Sequence, residues 1–444
     1  MTIAETAGHG ETSLRGDALR IAMVGVAAAD PGRALRERVG LDGDDLVVDG
    51  RRYPLAGRRV LVAGAGKASH ALATELEDVL GDRITGGAIA VKPEQARPLG
   101  RIEVLAAAHP VPDERSLAAG RRLLDIARSA DPGDLLITLI TGGSSSLAVV
   151  PAAGLSLADK ILLNRLLLAS GADITEMNSV RKHVSALKGG RLAAACRGEV
   201  LNLSVSDVVG DAVDVFISPA VPDPTTFADA REVCDRHALW ARLPAAVAGR
   251  LCSARAEDET PKVLARVSTH VLATAATMCE AAAEEARRLG YDARVVGLDL
   301  VGDAAEGGAA FARRLLREAP GTALVAGGEM TVTLELDVPA GTGGPSQEAA
   351  LAAALELDGS GSTCVLCMDS DGIDGPSDAA GGLVDDLTTG AATDAGIDIA
   401  GALAAHDAGT ALRALSDLLV TGPTGTNVND LKVGLRGRVE AASV

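Results

Sequence analysis

What most limits the fold of this chain is a rhythm: short, nearly charge-free Val/Ile/Leu runs alternate with longer Ala- and Leu-rich stretches of helical period. The runs at 59–62, 87–91, 101–107 and 135–140 read as strands, and 68–80 and 116–130 as helices. Strands without charges suit burial on both faces, and the alternation is that of a doubly wound parallel sheet. A second series follows a long helical stretch at 273–289, with strands expected at 323–326, 331–336 and 363–368.

A length of 444 residues exceeds one ordinary core, so two domains are expected. The polar stretch 250–259 puts the division at 1–255 and 256–444. Residues 1–16 read as a frayed terminus, and the helical period from Asp17 is broken into two helices by Pro31-Gly32. With one Trp, two Tyr and three Phe, the core must be filled by Ala, Val and Leu.

The net charge of −18 argues against a nucleic-acid surface, which needs a basic stripe. It also makes any anion site conspicuous, because the positive groups have to be local. No basic segment followed by an apolar one opens the chain, and no stretch has the length of a membrane span, so a cytoplasmic protein is expected. The Cys364-Val-Leu-Cys367 pair lies in an apolar run and reads as core, not as a redox or zinc motif.

Ligands of open α/β sheets bind beyond the carboxyl ends of strands, so the loops there are the candidates. Gly64-Ala65-Gly66-Lys67-Ala68-Ser69 offers close backbone approach, a helix N-terminus and one cation, yet it is neither a Walker A loop nor a good dinucleotide fingerprint. Its third Gly is Ser69, and Lys92 stands where a ribose-binding acid would be. Thr141-Gly142-Gly143-Ser144-Ser145-Ser146 has the make-up of an anion nest.

Four cations fall in Arg181-Lys182-His183-Val-Ser185-Ala-Leu-Lys188-Gly-Gly-Arg191, and helical spacing would put Arg181, Ser185 and Lys188 on one face. Asp207 and Asp211 close an apolar strand and could hold Mg2+ or accept a hydroxyl proton. The later half adds Glu329, the loop ending in Gln347 and Glu348, the acids Asp371 and Asp374, and Thr424 with Asn427.

The order of GAGKAS, HPVPDE, TGGSSS, EMNSVRKHVSALKGGRLA, SDVVGD, VPDPTTF, GGEMTVT, SDGIDGPSDAAGG and TGPTGTNVNDL resembles the glycerate 2-kinase family, whose C-terminal part is called the MOFRL domain. The resemblance runs from about residue 17 to 433. It implies a Rossmann-like α/β domain and a MOFRL-type α/β domain with the active site in the cleft between them. It further implies ATP and Mg2+ as cofactors, a small hydroxy acid such as D-glycerate as acceptor, and a homodimer.

On that resemblance Lys67, Asp207 and Arg181 are the expected catalytic residues. Gly64, Gly66, His109, Gly142, Gly143, Ser144, Lys188, Glu329, Gln347, Glu348, Asp371, Asp374, Thr424 and Asn427 are expected to bind substrate or nucleotide, and Asp207 with Asp211 the metal. An NAD(P)-dependent hydroxypyruvate reductase, a label the family has carried, and a non-catalytic binding protein are the alternatives. Two departures mark a divergent member: Pro345-Ser346 replaces the family's Arg-Asn, and Ser218-Pro219-Ala220 is shorter than its S-G-P-T.

Overall fold

The computed structural model describes residues 12–206, 218–334 and 341–438. Asp207 and Asp211 therefore lie outside the described residues. The described residues divide into two compact units, one of residues 31–206 and 218–272, the other of 12–30, 273–334 and 341–438.

The first unit opens with helix α2 (Pro31–Arg38) and a three-stranded antiparallel meander, β1 (Val39–Asp42), β2 (Asp45–Val48) and β3 (Arg51–Pro54). The rhythm then becomes β4 (Val60–Ala65), α3 (Ser69–Leu80), β5 (Ile84–Val91), β6 (Ile102–Ala106), α4 (Glu114–Ser129) and β7 (Leu135–Ile140). Helices α5 (Ser144–Leu147), α6 (Leu157–Leu168), α7 (Ile174–His183) and α8 (Arg191–Ala195) lead to β8 (Glu199–Val205). The unit closes with α9 (Phe227–Arg236), α10 (Ala245–Ser253) and β9 (Val267–Ala273).

Among the described residues the sheet has the order β6-β5-β4-β7-β8-β9, and its pairs β4/β5, β5/β6, β4/β7 and β7/β8 are parallel. β4 and β7 are buried at every position, as their charge-free sequences require. A satellite core of Leu163, Leu167, Val180, Val184 and Phe227 joins α6, α7 and α9, with the single Trp240 packed on it. Trp240 Nε1 donates to Asp235 Oδ1 at 2.5 Å.

The second unit contains α1 (Thr12–Ala28), α11 (Ala275–Arg288), β10 (Asp292–Leu300), α12 (Ala304–Leu316), β11 (Thr322–Gly328) and α13 (Pro345–Leu357). After these come β12 (Thr363–Asp369), β13 (Gly381–Asp385), α14 (Thr388–Ala395), α15 (Ile399–Ala404), α16 (Ala408–Ala414), β14 (Leu418–Leu419) and β15 (Asp430–Arg436). Its mixed sheet runs β10-β11-β15-β12-β13-β14, with β10/β11 parallel and β15 antiparallel to both β11 and β12. Small residues allow very close packing: a Cβ on Gly308 of α12 would fall 2.0 Å from the Ala349 carbonyl of α13.

The units depart from the expected division in two places. Helix α1, which starts at Thr12 and not near Asp17, belongs with the later unit because Arg15 is buried there against Asp385 at 2.5 Å and Asp417 at 2.8 Å. Gly25 brings it onto α11, with Met278 O only 2.9 Å from where a Cβ would stand. Strand β9 belongs with the earlier unit: Val200 N–H donates to Arg266 O, and Tyr53 Oη bonds Ser268 Oγ at 2.8 Å and His270 Nε2 at 2.9 Å.

The strand expected at 331–336 is absent over its described part. Thr331 makes only an isolated bridge with Asp303, and 332–334 are irregular. Cys364 and Cys367 are core residues of β12, both free, and burial pushes the Cys367 thiol up to about 12. No described helix is long and apolar enough to cross a membrane.

Candidate functional site

The chain leaves β4 towards β5 and β6, then returns to the other side of β4 as β7 and β8. The turns after β4 and β7 thus flank the point where strand order reverses, where such sheets bind ligands. Ala65 and Ile140 are register partners at that point, and the 64–69 and 141–146 turns are laced together beyond them. Lys67 N–H donates to Gly142 O at 2.7 Å and Ala68 N–H to Thr141 Oγ1 at 3.1 Å. Gly66 is obligatory, with φ of 140° and a Cβ position only 2.1 Å from Thr141 Oγ1. Gly64 is wedged between sheet neighbours, its Cβ position 2.8 Å from Ile89 Cγ2 and 2.9 Å from Leu139 O.

Gly143, at φ of 83°, caps the one-turn helix α5 and gathers the chemistry. A Cβ there would stand 3.2 Å from His109 Nε2 and 3.3 Å from Lys67 Cγ. The imidazole, the Lys67 side chain and the turn are therefore close neighbours. Burial first, and then the charges of Lys67 and Lys92, lower the His109 pKa to about 4, so the ring is neutral near pH 7. Gly142 and Gly143 N–H take no backbone partner among the described residues, whereas Ser144 N–H is used by Thr141 O. The turn thus offers two glycine donors, and Ser144 serves mainly to close it.

The reading of Arg181, Ser185 and Lys188 as one helix face does not hold. Helix α7 ends at His183, because Ser185 pairs with Pro151 in an isolated bridge and Gly189 and Gly190 take positive φ. Lys188 nevertheless reaches the 141–147 turn, its Nζ donating to Ser145 O at 2.5 Å. Lys182 pairs with Asp223 at 2.6 Å and Arg191 holds Asp258 O at 2.6 Å, so these two cations of the motif are structural.

In the other unit the acids gather around the ends of β12 and β15. Burial, then Asp371 and Asp430, push Asp369 up to about 8, and burial pushes Asp374 to about 6. Thr424 N–H donates to Asp371 O at 3.0 Å, and Asn427 Oδ1 accepts from Asn429 N–H at 3.4 Å. Asp374 and Gln347, both buried, face each other: the Asp374 carboxylate accepts Ser346 N–H at 3.0 Å, Gln347 N–H at 2.8 Å and Gln347 Nε2 at 3.0 Å. This carboxylate caps α13, and Pro345 sits in the first turn of that helix, where its missing N–H is no loss.

Glu348 is buried against His406 Nδ1 at 3.2 Å, and burial raises its pKa. Glu329 is exposed just after β11. Gln347 also borders a cavity of about 580 Å³ shared with Thr342, Ser377, Asp378, Thr410 and Arg413. Among the described residues no group of three or more His, Cys, Asp or Glu side chains is arranged to hold a metal ion.

Sequence reading passed over Lys160, and it placed Asp369 and Asp430 in acidic Gly-turn motifs suited to hard cations and nucleotide phosphates without singling them out. For Lys160 a signal existed: it is a cation amid the apolar residues of α6, LADKILLNRLLL.

Residues 17–252 match the model of a domain of unknown function, DUF4147, and 322–430 match the MOFRL family. The chain is 38% identical over 436 residues to a protein named glycerate 2-kinase from Pyrococcus horikoshii, covering 95% of this chain and 98% of that one. It is 41% identical over 389 residues to one named putative hydroxypyruvate reductase from Agrobacterium vitis, covering 85% of this chain and all of that one. A solved structure of glycerate kinase from Thermotoga maritima superposes with a TM-score of 0.84 at 35% identity, covering 96% of this chain and 100% of the other. On this similarity, which spans both units, the chain belongs to the glycerate 2-kinase family.

Proposed function

We propose that this chain is a phosphotransferase that moves the γ-phosphoryl group of ATP to a hydroxyl of D-glycerate or a closely related hydroxy acid. The observation that supports it most is the set of Lys67, neutral His109 and the Gly142-Gly143 donors at the switch point of the sheet. Phosphoryl transfer asks for positioning and charge neutralisation more than for covalent chemistry, and such a set offers both. Lys67 and Arg181 hold the acceptor carboxylate or the moving phosphoryl group, and the glycine N–H groups hold its oxygens. Asp207 orients the acceptor hydroxyl and takes its proton as the new P–O bond forms and the bond to the ADP leaving group breaks. Asp207 and Asp211 would hold Mg2+, which when bound would neutralise charge on the phosphates. The working form is proposed to be a cytoplasmic homodimer.

The reductase reading is disfavoured by the strand that ends at Val91 and is followed by Lys92, a cation where NAD sites carry a ribose-binding acid. Replacing Lys67 by Ala is expected to cut ADP formation from ATP and D-glycerate by orders of magnitude with the circular dichroism spectrum unchanged. Near-normal turnover in that variant, or steady NADH oxidation by the unmodified protein with hydroxypyruvate, refutes the proposal.

A further inference from the structure

Lys160 on α6 and Lys188 after α7 are each only 2% exposed. Lys160 Nζ makes no hydrogen bond or ion pair among the described residues, and Lys188 Nζ makes the one bond to Ser145 O. Arg181, partly exposed, has a single long contact from Nη1 to Asn178 Oδ1 at 3.4 Å, and its Nε is buried without a partner. The three are close enough to repel one another. Burial and then Arg181 lower Lys160 to about 8, and burial, Lys160 and Arg181 put Lys188 well below its ordinary value, with no carboxylate of the described residues acting the other way.

Three cations gathered with no counter-charge among the described residues are strongly unfavourable in a protein interior. Next door Lys182 is answered by Asp223 at 2.6 Å. Among the described residues no carboxylate answers the cluster, which leaves it open to an anion. Lys188 ties it to the same turn that carries Gly142 and Gly143.

We infer that Lys160, Arg181 and Lys188 form a recess for a doubly charged oxyanion of the phosphate class, with Arg181 its partly exposed member and the turn whose Ser145 carbonyl accepts from Lys188 beside it. This deepens the kinase reading by giving a phosphate group a holder beyond Lys67. Lys160 is its least exposed determinant with no other occupation.

The test is calorimetry and thermal denaturation of the full chain with inorganic phosphate, against sodium chloride at equal ionic strength. Wild type is expected to bind phosphate and melt at higher temperature in it. Lys160→Met is expected to melt at or above the wild-type temperature without phosphate and to bind phosphate at least tenfold more weakly, while Lys160→Arg retains binding. The inference is overturned if wild type gains nothing from phosphate over chloride, or if Lys160→Met binds it as tightly as wild type. Should the Met variant fail to fold, the wild-type comparison and Lys160→Arg decide. Competition arms name the source: displacement of phosphate by ADP assigns the recess to the nucleotide, and displacement by 2-phosphoglycerate to the product. Loss of catalysis in a protein that still shows this binding would refute the kinase reading and leave the recess standing.

Discussion

Replacing Gly66 by Ala puts one methyl group into the tightest point of the switch-point turns. Its φ of 140° is a conformation that L side chains rarely adopt, and holding Ala there costs about 1–3 kcal/mol. The new Cβ would stand 2.1 Å from Thr141 Oγ1 and 2.6 Å from Thr141 O. The second is backbone and cannot rotate away, so the 64–69 turn must lift from the end of β7, at a further cost of about 1–3 kcal/mol. Lifting also stretches the Lys67 N–H to Gly142 O and Ala68 N–H to Thr141 Oγ1 bonds, worth about 1 kcal/mol each. The sum is about 4–8 kcal/mol, a large part of the ~5–15 kcal/mol that separates folded from unfolded chains. A shift of about 1 Å at Lys67 should cost a further ~10²-fold in turnover. Urea denaturation and coupled ADP release measure both. Gly86→Ala is the control, since nothing lies within 4 Å of its Cβ position. If Gly66→Ala matches Gly86→Ala in midpoint and in turnover, the reasoning about this turn is wrong.

Arg15→Met leaves Asp385 and Asp417 buried without their cation, a loss of about 3–5 kcal/mol. This should appear as a melting temperature lower by roughly 10 °C, and an unchanged transition would refute it. His109 has a folded-state pKa of about 4 against an ordinary 6.5, so the unfolded chain binds the extra proton between those values. Its contribution is present above pH 6.5 and lost as pH falls towards 4; half exposure reduces the ceiling of ~3.4 kcal/mol to about 1 kcal/mol. His109→Gln should remove that part of the slope, and an imidazole seen by NMR to titrate near its ordinary value would contradict it. Pro345→Arg, in the first turn of α13, should raise turnover on D-glycerate with folding retained. Adding Ser346→Asn should destabilise, because Ser346 is fully buried. A double variant that melts with the single one would show that the pocket has room.

The parallel sheet was legible because its strands combine charge-free apolar runs with Gly-Ser ends, a pattern that burial on both faces demands. Lys67, Gly66 and Gly143 were legible for the same reason, since a turn this tight leaves few residue choices. The meander at 39–54 was not: its strands are four residues long, and the one apolar run among them, Leu46-Val47-Val48, is too short to stand out. β15 was hidden by Lys432, which reads as surface yet is 0% exposed and paired with Asp430 at 2.8 Å. The face assigned to Arg181, Ser185 and Lys188 failed because periodicity cannot see a bridge to Pro151. Asp374 and Gln347 read as ligand groups, although each finds its partner in the other across 27 residues of sequence. That kind of satisfaction is invisible to any local pattern.

A chain with a single indole carries its own spectroscopic label. Trp240 lies on the small core shared by α6, α7 and α9, the helices that also bear Lys160 and Arg181. Its emission therefore reports on the 31–272 unit, and the melting of residues 273–444 is silent to it apart from the weak signal of Tyr291. Circular dichroism weighs both units, so the gap between the two midpoints reads out, without any added dye, whether they come apart in one step or two.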